Sequence, residues 1–219
     1  LLPADFLPLI AGTTLEHTVG DWVIREALQQ LATWHAAGLT LKVSINISPR
    51  HLQQRDFVTQ LGQMLGKHPA FLAQQLEMEV LETGVLEDLQ AAGKIIEECS
   101  RSAGISFALD DFGTGYSSLS HMRHLPVNTI KIDHGFVRDM ISDAEDHAIV
   151  EGVIGLANAF RREVVAEGVE TPAHGVALLK LGCELGQGYG IARPMPADQI
   201  PAWVQASTGG TRWPSQLAS

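Results

Sequence analysis

The segment ISFALDD, residues 105–111, alternates between two kinds of side chain and decides the fold class. Ile105, Phe107 and Leu109 share one face of an extended strand, while the other face is small or polar and includes Asp110. A strand packed between two layers of helices is expected to be apolar on both faces. A strand with one polar face instead suits a barrel, with helices outside and functional groups inside.

Five further short runs have strand character, and helical patterns lie between them. The predicted strands cover residues 41–48, 75–82, 105–111, 128–133, 163–169 and 184–190. Strands that alternate with helices predict a parallel sheet with helical crossovers, either doubly wound or closed. The one-sided polarity of three strands favours the closed form. The predicted fold is therefore α/β, a TIM-like (β/α) barrel of which six of the eight strands are readable.

Local signals predict where two helices begin and where the domain ends. Ser142 with Glu145 resembles a capping box, and Thr171 followed by Pro172 resembles an N-cap with proline in the first helical position. Gly182 is expected to end the second of these helices. We expect residues 1–200 to form the domain and residues 201–219 to form a loose tail.

Composition excludes several classes of function. The 219 residues carry a formal net charge of -10 and contain no Lys/Arg-rich run. This charge argues against binding to DNA and against direct contact with an anionic membrane. The two cysteines offer neither zinc-ligand spacing nor a disulfide framework. No apolar run is long enough to span a bilayer. We expect a cytoplasmic protein, or the cytoplasmic part of a membrane-tethered one.

Polar side chains recur at the carboxyl ends of the predicted strands. They are Asn46, Glu79, Asp110, Asp111, Lys131, Glu167 and Gln187. The strand ends of a parallel barrel converge on one mouth, and carboxylates gathered there repel one another unless cations lie between them. Oxygen ligands without His or Cys favour Mg²⁺ or Mn²⁺, and paired ions suit phosphodiester chemistry. Taken singly, each residue also has an ordinary interpretation as a rim or capping group.

The string DDFGTGYSSL, residues 110–119, follows the third predicted strand. Its glycines permit tight or left-handed backbone. It is either a loop that caps a helix from about Ser117 or a mobile gate beside the two aspartates.

Six strings of the chain resemble the EAL family of cyclic di-GMP phosphodiesterases. They are VSINIS, LEMEVLE, DDFGTGYSSL, LPVNTIKID, VVAEGVE and GQGYGIARPMP, in the order of the family. The resemblance implies a barrel, two Mg²⁺ or Mn²⁺ ions, and hydrolysis of cyclic di-GMP to linear pGpG. It also implies a first metal held by Asn46, Glu79 and Asp110, and a second metal served by Asp110, Asp111 and Glu167.

The same resemblance implies further roles. Lys131 would orient the attacking water or stabilise charge, and Glu167 is also a candidate general base. Glu82 would position the 110–119 loop. Three more residues would support metal-bound water or substrate: Gln187, Glu170 and Arg193.

One family feature is missing from its expected place. The Glu-Ala-Leu motif that names the family is not found, and the Glu26–Ala27–Leu28 triplet lies inside an amphipathic helix. We therefore expect the first two strands to be absent from residues 1–219 and this segment alone to be weakly active or inactive. The resemblance also leads us to expect a homodimer, fused to sensory or diguanylate-cyclase-type domains.

Two other functions stay open from sequence. A non-catalytic cyclic di-GMP receptor of the same fold would bind the nucleotide without cleaving it. A barrel lyase or isomerase that uses Mg²⁺ to stabilise an enolate would need no dinucleotide.

Overall fold

The computed structural model describes residues 3–82, 88–115 and 122–208. Its six strands form one sheet in the order β1-β2-β3-β4-β5-β6. Their bounds are β1 Val43–Asn46, β2 Leu76–Leu81, β3 Ser106–Phe112, β4 Thr129–Ile132, β5 Glu163–Ala166 and β6 Leu185–Gly186. All six predicted strands are confirmed, although most are shorter than the sequence pattern indicated.

Helices occupy most of the connections between these strands, as the alternation predicted. They are α1 Pro3–Ile10, α2 Thr14–Ala36, α3 Pro49–Leu52, α4 Phe57–Leu65, α5 Leu89–Ala103, α6 His134–Asp139, α7 Ala144–Ala159, α8 Pro172–Lys180 and α9 Ile200–Thr208, with a 3₁₀ helix at Ala70–Gln75. The helix α9 runs across the predicted boundary at residue 201, so residues 201–208 are helical rather than loose. Residues 209–219 lie outside the described part of the chain.

The chain divides into two compact units that share the strand β3. The first comprises Leu1–Ala108 and Leu119–Val127, and the second comprises Leu109–Ser118 and Asn128–Ser219. In the first unit, the apolar stripe of α2 buries Ile24, Leu28 and Leu31. Burial of such side chains is the main favourable contribution to folding.

In the first unit, β1 and β2 pair in parallel and bring polar residues into register. Ser44 lies opposite Glu77, and Asn46 lies opposite Glu79. Glu77 is buried and accepts hydrogen bonds from Lys42 Nζ at 2.7 Å and from Ser44 Oγ at 3.0 Å. A buried carboxylate needs partners of this kind, because desolvation of an unpaired charge is strongly unfavourable.

In the second unit, β4, β5 and β6 pair in parallel. Every residue of β4 is buried, so this strand has no solvent-facing side. The polar side chains of Thr129 and Lys131 are therefore inside the fold, as expected for a strand whose polar face points to a functional interior.

The first residues of α7 and α8 show which side chains cap these two helices. The α7 helix is capped by Asp143, whose side chain accepts from the N–H groups of Glu145 and Asp146, so the predicted Ser142 cap is wrong by one residue. A carboxylate is favoured over a hydroxyl here because it also interacts with the positive end of the helix dipole. The Thr171 cap of α8 is confirmed, with His174 completing a capping box.

Among the described helices, none combines the length and the apolar character that a membrane span requires.

Candidate metal centre

Two adjacent carboxylates, Asp110 and Asp111, end the strand β3. Neighbouring residues of a regular strand point to opposite faces. Asp111 departs from this rule, because its φ of 54° lies in the left-handed region that aspartate tolerates better than most residues. Both carboxylates therefore contribute to one cluster. Oxygen atoms of Asp110, Asp111 and Glu167 all lie within 4.8 Å of one another.

Lys131 lies on β4 beside this cluster. Its Nζ atom is 3.0 Å from Asp110 Oδ1 and 2.6 Å from Glu167 Oε1. All but 5% of the lysine is buried. An ammonium group is strongly destabilising in such a place unless carboxylates surround it, and here two do. The lysine therefore fixes the relative positions of two candidate metal ligands.

Asp110 keeps part of its hydrogen-bonding capacity unused. Among the described residues, its Oδ1 atom is buried and has no hydrogen-bond partner, although it forms an ion pair with Lys131 Nζ at 3.0 Å. Buried acceptors of this kind are rare in folded proteins and commonly mark an ion or water site. A divalent cation would satisfy this oxygen.

The electrostatics of the cluster also suit a cation. Burial raises the pKa of the Asp111 carboxyl above its ordinary value, and the negative charges of Asp110, Asp133 and Glu167 raise it further, while His134 opposes them. Groups that repel one another in this way are stabilised by a positive ion between them. All the clustered ligand atoms are carboxylate oxygens, which fits Mg²⁺ or Mn²⁺.

Glu167 is held by the backbone that follows β5. Its N–H group donates to the Ile132 carbonyl at 3.2 Å. The next residue, Gly168, has a φ of 73°, and a Cβ atom there would lie 2.9 Å from the carbonyl oxygen of His134. Only glycine fits this close approach without strain. The tight turn at Gly168 therefore fixes the backbone position from which the Glu167 side chain extends.

The remaining predicted site residues occupy two places. In the first unit, Asn46 at the end of β1 is in register with Glu79 inside β2, and Glu79 and Glu82 are buried. In the second unit, the other three are exposed and follow β5 or β6: Glu170, Gln187 and Arg193. Of the 110–119 loop, residues 116–119 lie outside the described residues, and so does the predicted start of a helix at Ser117.

Sequence reasoning did not assign two residues that face the cluster. Asp133 and His134 both influence the Asp111 carboxylate. Asp133 also caps α6, accepting from the Gly135 N–H at 2.9 Å, and lies 3.2 Å from His134 Nδ1. The signal was present for Asp133, because it lies two residues after Lys131 on the same polar face. His134 had no comparable signal.

Comparison with known proteins identifies what the chain resembles. Residues 1–194 match the family model described as EAL domain. The chain is 37% identical over 203 residues to cyclic di-GMP phosphodiesterase PA2567 of Pseudomonas aeruginosa, covering 93% of this chain and 34% of that protein. It is 35% identical over 203 residues to cyclic di-GMP phosphodiesterase PdeR of Escherichia coli, covering 93% and 30%. The chain thus spans about a third of the length of these curated relatives.

A solved structure shows the same likeness in three dimensions. The PaMucR phosphodiesterase in its c-di-GMP complex matches with a TM-score of 0.85 and 36% sequence identity, covering 91% of this chain and 81% of that chain.

Proposed function

The chain belongs to the EAL domain family, and from that membership we propose that it hydrolyses cyclic di-GMP to linear pGpG in a metal-dependent reaction. The family resemblance predicted from sequence is confirmed, as is the TIM-like α/β architecture. The observation that carries the proposal is the cluster of Asp110, Asp111 and Glu167 around buried Lys131.

The acidic cluster is a suitable ligand set for divalent ions. Asp110, Asp111 and Glu167 would hold Mg²⁺ or Mn²⁺, and the buried Oδ1 atom of Asp110, which has no hydrogen bond among the described residues, supports this assignment. The assignment of Asn46 and Glu79 as ligands of the first metal stays a prediction from the family resemblance. Bound ions would activate water and neutralise the negative charge of a phosphodiester.

The chain's own residues do two further tasks in this proposal. Lys131 forms ion pairs with Asp110 and Glu167, which keeps both carboxylates in place and would add a positive charge near the scissile phosphate. Glu167 uses Oε1 for the lysine contact, so we assign its second oxygen to accepting a proton from the attacking water. The assignment of Gln187, Glu170 and Glu82 as supporting residues stays a prediction from the sequence.

We also propose the setting in which the chain acts. One relative of 37% identity is named bifunctional diguanylate cyclase/cyclic di-GMP phosphodiesterase MucR, and the chain covers 30% of its length. We therefore propose that the full protein joins this segment to cyclase-type or sensory domains. Homodimerisation, a cytoplasmic location, and residues 201–219 as a tail separate from a 1–200 domain remain predictions from the sequence.

Product analysis with and without metal tests the proposed function. The full-length protein, incubated with cyclic di-GMP and Mg²⁺ or Mn²⁺, should release pGpG. Excess EDTA should stop that release, and restored Mg²⁺ should recover it, because three carboxylates without a bound cation would repel the negatively charged phosphodiester. Chromatography of the nucleotides gives the readout. Tight nucleotide binding without any pGpG would identify a receptor instead, and no binding at all would exclude both functions.

A further inference from the structure

The turn that follows β6 is tied to the segment that carries Glu167. The Gln187 N–H group donates to the Ala166 carbonyl at 2.8 Å, and the Val169 N–H group donates to the Gln187 carbonyl at 3.0 Å. The Gly190 N–H group then donates to the Val169 carbonyl at 2.9 Å. These three backbone hydrogen bonds place the turn beside the backbone on either side of Glu167.

Two glycines of this turn leave no room for a side chain. A Cβ atom on Gly188 would lie 2.4 Å from the backbone nitrogen and oxygen of Val169. A Cβ atom on Gly190 would lie 2.6 Å from the carbonyl carbon of Glu170. Backbones packed this closely have little freedom to shift against each other. Tyr189, which lies between the two glycines, is therefore held on rigid backbone.

Tyr189 is nevertheless 59% exposed, although most large aromatic side chains are buried when packing allows. The guanidinium carbon of Arg193 lies 4.7 Å from the centre of its ring, which is a cation–π contact. Among the ion pairs formed by the described residues, none neutralises Arg193. The pair therefore presents an aromatic face and an uncompensated positive charge to solvent.

The metal centre alone cannot account for recognition of a particular nucleotide. Carboxylate-bound ions interact with the phosphodiester, which is the same whichever base is attached. Recognition of a base requires a surface on which it stacks and hydrogen-bonding groups that match its edge. Tyr189 offers an exposed aromatic ring, and Arg193 offers hydrogen-bond donors beside it.

We propose that Tyr189 and Arg193 form the subsite that recognises one guanine of the substrate, an inference that rests on the proposed cyclic di-GMP phosphodiesterase function. The base stacks against the tyrosine ring, as bases do on aromatic side chains of nucleotide-binding proteins. The guanidinium donates to O6 and N7 of guanine, a pair of acceptors that adenine lacks. The pair thereby selects guanine and places the linked phosphodiester at the acidic cluster.

Two substrates distinguish this subsite from a structural role. The first is cyclic di-GMP, and the second is bis(4-nitrophenyl) phosphate, a phosphodiester that has no purine. In Tyr189→Ala, the ratio of kcat/KM on cyclic di-GMP to kcat/KM on the purine-free substrate should fall about tenfold, mainly through a higher KM for cyclic di-GMP. Tyr189→Phe, which keeps the ring, should retain most of the ratio. Trp22→Ala, which removes an aromatic side chain of similar exposure, is the control.

Arg193→Ala tests the hydrogen-bonding part of the proposal. In this variant, the ratio of kcat/KM on cyclic di-GMP to kcat/KM on bis(4-nitrophenyl) phosphate should also fall about tenfold. The preference for cyclic di-GMP over cyclic di-AMP should weaken too, because the lost donors match the edge of guanine and not that of adenine. Both alanine variants should melt at the wild-type temperature, as expected of exposed positions. The proposed subsite would be contradicted if this kcat/KM ratio stayed within about twofold of the wild-type ratio in both alanine variants. It would also be contradicted if kcat/KM fell equally on both substrates.

Failure of the subsite and failure of the proposed function give different results. If the wild type releases no pGpG, the proposed function has failed, and the subsite is then tested by calorimetric Kd values for cyclic di-GMP. Binding that is about tenfold weaker in Tyr189→Ala would still support the subsite. Equal Kd values, or no binding by the wild type, would contradict it.

Discussion

Asp110→Ala is expected to abolish pGpG release, with a fall in kcat on the order of 10³-fold, as for loss of a central electrostatic group. The reason is its position: Asp110 is buried, belongs to the three-carboxylate cluster and contacts Lys131. Its removal would take away an oxygen ligand and leave the lysine with one carboxylate partner fewer. The measurement is kcat at saturating Mg²⁺, together with the Mg²⁺ concentration needed for half-maximal rate.

Two further variants make this result specific. Asp139→Ala removes an exposed carboxylate of the same unit that pairs with Arg138, so its kcat should stay close to that of the wild type. Gln187→Ala should only weaken activity, within about tenfold, because this side chain is exposed and outside the carboxylate cluster. A folded Asp110→Ala protein with wild-type turnover would refute the two-metal assignment.

Lys131→Ala is expected to lower kcat about 100-fold while changing the KM for cyclic di-GMP by much less. The Nζ atom lies between Asp110 and Glu167, so in the proposed reaction its charge would act at the phosphodiester rather than at the bases. Interactions that strengthen in the transition state appear in kcat, whereas uniform binding appears in KM. Steady-state kinetics at saturating Mg²⁺ separate the two.

A matched variant controls for loss of a paired lysine. Lys42→Ala removes a lysine that contacts the buried carboxylate of Glu77 in the first unit, and it should preserve most of kcat if the protein stays folded. Melting temperatures of both variants show whether an unpaired buried carboxylate has destabilised the fold. A higher KM with unchanged kcat in Lys131→Ala would instead make the lysine a phosphate-positioning residue.

The strands were predictable because their signal is local. Alternation of apolar and polar side chains marks three of the strands, and residues such as Phe107 and Leu109 are buried as the pattern indicated. Strand ends were overestimated because pairing partners, which the sequence does not reveal, determine where a ladder stops. The prediction of Ser142 as the α7 cap is wrong because the carboxylate of Asp143, one residue later, accepts hydrogen bonds from the first N–H groups of the helix.

The candidate site was predictable in part. Clustering of Asp110, Asp111 and Glu167 followed from their common position at strand ends, and Lys131 followed from the polar face of its strand. The left-handed backbone of Asp111 left no trace in the sequence, because the conformation is imposed by the surrounding fold. The contact of Tyr189 with Arg193 depends on a turn whose geometry is set by packing against β5 and the residues after it.

X-ray diffraction from crystals grown with Mn²⁺ and cyclic di-GMP, collected at the manganese absorption edge, tests the central claim most directly. We expect anomalous density within about 2.5 Å of carboxylate oxygens of Asp110, Asp111 and Glu167, the range of metal–oxygen bonds. Crystals of Asp110→Ala grown under the same conditions should show little of that anomalous density. An empty cluster in wild-type crystals, under conditions where Mn²⁺ supports pGpG release in solution, would contradict the account.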